Sequence, residues 1–148
     1  MDEEFAAYLD KVRAARSELG EAMRALDDAL GLPKGLGTLW ERRVQAALTE
    51  LSHDLRDHIR LTEDQLHRDI RVHAPRLAAK VDAQQADHVY FLREINRLLD
   101  DRTDVEAEVD ADARREAVGV LLQRLVRHRQ RGSDLVYEAY VVDLGGSE

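Results

Sequence analysis

The chain has 148 residues, no cysteine, and 22 Lys plus Arg against 30 Asp plus Glu, for a formal net charge of -8 at pH 7. That length suits a single domain spanning residues 1–148, long enough to bury roughly two thirds of its unfolded surface. The missing cysteines exclude disulfides, thiolate zinc sites and cysteine nucleophiles, so any metal must sit on histidine and carboxylate.

The acidic balance argues against nucleic acid as a partner, because phosphate-backbone binding draws on clustered Lys and Arg. No run approaches the roughly 20 apolar residues of a membrane span. The opening MDEEFAAYLD has neither signal-peptide nor transit-peptide character, so no membrane partner and a cytoplasmic location are expected. All basic residues except Lys11, Lys34 and Lys80 are arginine, a bias that favours helix and suits a GC-rich bacterial genome.

Two prolines and eight glycines punctuate the chain, and they divide it into four helical segments. The first should run from about Asp2 to Leu30, with Phe5, Leu9, Val12, Leu19, Met23, Leu26 and Leu30 recurring at three- and four-residue intervals. GLPKGLG then breaks it. From Thr38 as N-cap, the second carries Val44, Leu48, Leu51, Leu55, His58, Thr62 and Leu66 towards Pro75. The third follows the proline with Leu77, Val81, Gln84, His88, Leu92, Ile95 and Leu99, and ends in DDRTD. The fourth begins near Val109 and shows Ala117, Leu121, Leu125, His128, Gly132, Leu135 and Ala139 before the closing GGSE. Four amphipathic segments with short connections predict an all-α fold, an antiparallel up-down-up-down four-helix bundle.

A histidine interrupts three of these stripes. At about 1.5 Å per residue, His58 lies about 14 residues before a turn near Val72 and His88 about 16 after it, so antiparallel helices would hold them nearly level. His88 and His128 are likewise about equidistant from a turn near Ala107 or Glu108. Three imidazoles then converge in one interior layer, where shared hydrogen bonds or a bound cation would offset their desolvation. HIRLTEDQLHRDI and HRQRGSDLVYEAY, aligned on His58 and His128, also share Asp64 with Asp134, Leu66 with Val136 and Ile70 with Tyr140, suggesting pseudo-twofold symmetry. Asp54 and Gln84, each one turn before a histidine, are candidates to orient an imidazole, and hydrogen bonding without metal explains them equally well. His53 should face solvent. His67 and His73 should lie at the surface or boundary, Trp40, Tyr137 and Tyr140 should pack at helix ends, and the arginines of RLVRHRQR should form a solvated face. No nucleophilic triad or phosphate-binding glycine loop is present in the pattern.

LRDHIRLTEDQL, APRLAAKV, QQADHVYFL and LLQRLVRHRQRGSDLVYEAYVVDLGG resemble the hemerythrin-like family in its bacterial form, over roughly Leu39 to Gly146. That family holds two irons between four helices on histidines and bridging carboxylates, and His58, His88 and His128 match its ligand histidines on helices two, three and four. Its H-x-x-x-E/D motif works because residues four apart differ by about 40° around a helix. Here Thr62 and Gly132 occupy the carboxylate positions, and helix one offers no histidine near Leu9 and Val12. Glu63 would point about 140° from His58 and Asp134 about 240° from His128 in regular helix. A π-bulge after His58 would bring Glu63 to the histidine face, and Gly132 with Ser133 would permit a comparable kink in the fourth helix.

The resemblance implies a cytosolic protein with a depleted site: His58, Glu63, His88 and His128 on metal, Asp54, Thr62, Gln84 and Asp134 behind them. It further implies iron, one ion rather than two, and a small diatomic ligand or peroxide as partner, to sense or handle oxygen, peroxide or nitric oxide. The other reading is a metal-free bundle acting as an interaction or structural module, with its histidines in a buried polar network.

Overall fold

The computed structural model describes residues 3–100 and 111–142, which are helical apart from short connections. The helices are α1 (Glu3–Leu30), α2 (Thr38–Leu61), α3 (His67–His73), α4 (Ala78–Asp100) and α5 (Ala111–Tyr137). A five-residue π turn, Thr62–Leu66, joins α2 to α3 without a break, since Leu61 and His67 on either side keep right-handed helical angles. A second π turn, Glu138–Val142, follows α5. Among the described residues there are therefore four long helices and no strand, as an all-α fold requires. The ends expected at Asp2 and Val109, the turn at Ala107 or Glu108 and the closing GGSE lie outside the described residues.

Local chemistry sets the helix ends. After α1, the Gly31 N–H donates to the carbonyls of Asp27 and Asp28, and a 3-10 turn at Lys34–Leu36 follows. The N-cap of α2 is Gly37 rather than Thr38: its φ of 59° lies in the left-handed region that glycine enters without a Cβ clash, and Thr38 is the first helical residue. Ala74, held extended at φ -136° ahead of Pro75, ends α3 as a pre-proline residue must.

α1 packs on α2, α2 on α4, α4 on α5 and α5 on α1. The buried side chains form two apolar clusters. The larger gathers Leu19, Leu26, Leu48, Leu55, Phe91 and Leu125 among others, and the smaller gathers Leu9, Val12, Leu66, Ile70, Val81 and Leu135. Between them on the chain fall His58, Thr62, Gln84, His88 and His128, and His67 lies just inside the smaller one, all buried. In α4 the buried stripe runs through Phe91 and Leu98, with Leu92 and Leu99 only half-buried. Gln84, His88, Phe91, Ile95 and Leu98 alternate steps of four and three, the seam of helices that cross at a shallow angle. Trp40 is buried, with the Arg115 guanidinium 5.9 Å from its ring centroid, whereas Tyr137 is exposed rather than packed. A buried ion pair, Arg114 to Glu41 at 2.9 Å, ties α5 to α2 near the larger cluster.

Leu121 is fully buried in that cluster, two helical turns before His128 on α5. Leu121→Ala should lower unfolding stability by about 2–5 kcal/mol, while Val126→Ala, at an exposed position, should change it by less than about 0.5 kcal/mol. Urea denaturation of both variants measures the contrast.

Candidate metal centre

The centre begins with the π turn. Thr62, at the position where a carboxylate was sought, turns its hydroxyl back to the carbonyls of His58 (2.8 Å) and Ile59 (3.2 Å), the kind of local bond that competes with a helical ladder. The His67 N–H then reaches the Thr62 carbonyl, an i to i+5 bond. At the same turn the Tyr8 hydroxyl from α1 accepts a hydrogen bond from the Leu66 N–H at 3.0 Å.

The extra residue sets everything beyond it back by about 100° around the axis. Glu63, within the turn, is carried part of the way from about 140° off His58 towards the histidine face, and Leu66 and Ile70 return to the apolar stripe. His67, which regular periodicity puts about 180° from His58, also swings inward. It is 4% exposed, not at the surface or boundary, and its ring stacks on His88 with centroids 6.0 Å apart.

His58, His88 and His128 meet at one level, each contributing a ring nitrogen within 4.8 Å of the others. Their outer contacts fix which nitrogen faces inward. His88 Nδ1 lies 3.2 Å from Glu63 Oε2, and His128 Nδ1 lies 2.9 Å from Asp87 Oδ2. A carboxylate accepts, so each Nδ1 carries the proton and each Nε2 presents a lone pair. Both Nε2 atoms, and Nδ1 of His58, are buried with no hydrogen-bond partner.

Burial makes these rings neutral. It pushes His58 down to about 3, with His128, Arg16, His67 and Arg129 adding to the effect. It pushes His67 down to about 4, helped by Arg71 and His128, and His88 down to about 2, helped by the three other histidines' charges. His128 is also lowered by burial, which outweighs the opposing pull of Asp87. Gln85 donates its amide to His67 Nδ1 at 3.2 Å, so the neutral His67 ring keeps its proton on Nε2.

The other expected residues are placed differently. Glu63 sits against the outer nitrogen of His88 and orients it. Gln84 donates to the His128 carbonyl at 3.4 Å, not to His88, and a Cβ added at Gly132 would come within 3.1 Å of its Oε1. The carboxylate position of α5 is thus given over to an amide from α4. Asp134 is exposed and accepts from Gln130 at 3.0 Å, away from the histidines. α5 stays regular through Gly132 and Ser133, and its π turn starts ten residues after His128 rather than four, so the two histidine segments are not symmetric. Asp54 makes no hydrogen bond to His58; burial and the neighbouring Glu50, Glu18 and Asp57 hold its carboxyl above the usual range. His53 and His73 are exposed. Arg129, read as part of a solvated face, is half-buried and turned towards α1.

Asp87 is the residue that sequence reasoning passed over, and His67 the one it expected at the surface or boundary. Asp87 immediately precedes His88 but orients the histidine of the next helix, a pairing visible only once α4 and α5 are packed. No family model, curated protein or solved structure matches the chain.

Two predictions follow from this geometry. Tyr8→Phe removes the part-buried hydrogen bond from the Leu66 N–H and should cost about 0.5–1.5 kcal/mol of stability in urea unfolding. In metal-free protein the folded rings of His58, His67 and His88 titrate far below their ordinary value, so the unfolded chain binds more protons between those values and about 6.5. Stability should therefore fall as pH drops below about 6.5, by up to about 1.4 kcal/mol per pH unit for each such ring, and level off only near the folded values. Unfolding in chelator at pH 7.5, 6 and 5 measures this; a flat profile contradicts the buried neutral rings.

Proposed function

We propose that the chain is a hemerythrin-like bundle that binds one divalent transition-metal ion on His58, His88 and His128. The observation that carries the reading is that His58, His88 and His128 each bring a ring nitrogen within reach of one ion, and that each ring also carries a buried nitrogen without a partner. Uncompensated burial of three such nitrogens is costly, and none of them is hydrogen-bonded to a neighbouring ring, which favours an ion over a metal-free network. Glu63 and Asp87 back two of the rings as carboxylates do behind metal-bound histidines.

A single ion is favoured over two. Among the described residues only His58, His88 and His128 bring ligand atoms within 4.8 Å of one another, and Arg16 and Arg129 border the cavity beside His58, where their charge would repel another cation. Three nitrogen ligands leave coordination positions open. By resemblance the ion is iron, which supplies coordination of a small ligand such as oxygen, peroxide or nitric oxide; zinc and manganese suit the same donors.

The arrangement we infer is antiparallel, up-down-up-down. It is supported by the order of the clusters along the chain: smaller before larger in α1 and α4, larger before smaller along α2–α3 and α5. A cytoplasmic location accords with a sequence rich in charge and with the finding that no described helix is long and apolar enough to cross a membrane.

Tag-free protein should hold one metal ion per chain by elemental analysis. His58→Ala, His88→Ala and His128→Ala should each abolish it, and Glu63→Gln or Asp87→Asn should weaken affinity about 10–100-fold. Folded wild-type protein that takes up no iron, zinc or manganese would favour the interaction-module reading instead.

A further inference from the structure

The cavity beside the histidines holds a pair of charges that the metal reading does not use. It measures about 40 Å³ and is bordered by Arg16, His58, His67, Gln84, His128 and Arg129. Arg16 donates to the Arg129 carbonyl and Arg129 to the Arg16 carbonyl, each at 3.4 Å, so the two guanidinium groups are fixed side by side between α1 and α5. Arg129 lies over Gly20, where an added Cβ would stand 3.0 Å from its Nη2; the glycine is the space the guanidinium occupies.

Among the described residues no carboxylate pairs with either arginine. In a protein with more Asp and Glu than Lys and Arg, two half-buried cations left facing each other are costly, because both desolvation and mutual repulsion oppose them. Arg129 Nε is in addition buried without a partner. Burial, and after it the Arg129 charge, hold Arg16 below its ordinary value; an anion between the two guanidinium groups would relieve their repulsion.

We infer that this cavity binds a small monovalent anion of a few heavy atoms, held by Arg16 and Arg129 next to the ion on His58, His88 and His128. Its class is that of azide, nitrite or formate. Guanidinium forks suit such ligands because they donate several parallel, charge-assisted hydrogen bonds. The volume is about three times what one water needs, which excludes nucleotides and sugar phosphates. The inference rests on the metal reading for its neighbour but not for its own two arginines.

Sodium azide is the probe. Cobalt(II)-loaded protein titrated with azide should show saturable changes in its visible spectrum. Arg16→Gln and Arg129→Gln should still hold one cobalt per chain and bind azide at least about tenfold more weakly. Equal azide affinity in the variants, or no saturable change in the loaded wild type, overturns the anion site while leaving the metal site standing. Calorimetry on the metal-free chain separates the two readings: arginine-dependent azide binding in a chain that takes up no cobalt keeps the anion site and removes the metal, and binding of neither removes both.

Discussion

One additional residue in the turn Thr62–Leu66 determines what the interior of this protein can do. Without it, Glu63 would face away from His58, His67 would face solvent and Ile70 would leave the core stripe. Three bonds brace the turn. Thr62 bonds backwards through its hydroxyl, the His67 N–H reaches one residue further than usual, and Tyr8 accepts from the Leu66 N–H. π turns are uncommon because they disturb an efficient ladder. Here the disturbance is compensated by a side chain from a different helix, so α1 contributes to the centre although it supplies no histidine.

The second consequence is a polar layer between two apolar clusters. Leu and Phe on either side exclude water, so the imidazoles stay neutral and a proton on Nδ1 of His88 or His128 has only a carboxylate to bond. Neutral rings of fixed tautomer are what a metal requires, since it competes with protons for the same lone pairs. The same layer carries an asymmetry of charge: two carboxylates lie behind the rings on the α4 side, and two arginines border the cavity towards α1. That division favours one cation with an anion beside it over a pair of cations bridged by carboxylates.

Much of this was legible in the sequence, for identifiable reasons. Rise per residue was enough to place His58, His88 and His128 at a common depth, because one extra residue in the π turn shifts the depth by less than about 2 Å while it rotates everything beyond it by about 100°. The displaced carboxylate at Glu63 was enough to suggest the π turn. It did not reveal that Glu63 would sit on the outer nitrogen of His88, which depends on the ring's rotamer. His67 was misread because a regular period carries it to the far face, and the shift that returns it acts only beyond the bulge. Asp87, Arg16 and Arg129 were missed because their partners lie on other helices, and charged residues are ordinarily solvated. Gly132 and Ser133 did not bend α5; Gln84 fills the space beside Gly132 instead.

The central claim is that His88 and His128 keep their protons on Nδ1 and offer Nε2, together with Nδ1 of His58, to one ion. Long-range proton–nitrogen NMR of the histidine rings, before and after one equivalent of zinc, tests it most directly. The account predicts Nδ1–H tautomers for His88 and His128 in the metal-free chain, and a shift of both Nε2 resonances and of His58 Nδ1 that is complete at one equivalent. Nε2–H tautomers at His88 and His128, with ring resonances unmoved by zinc, would contradict it.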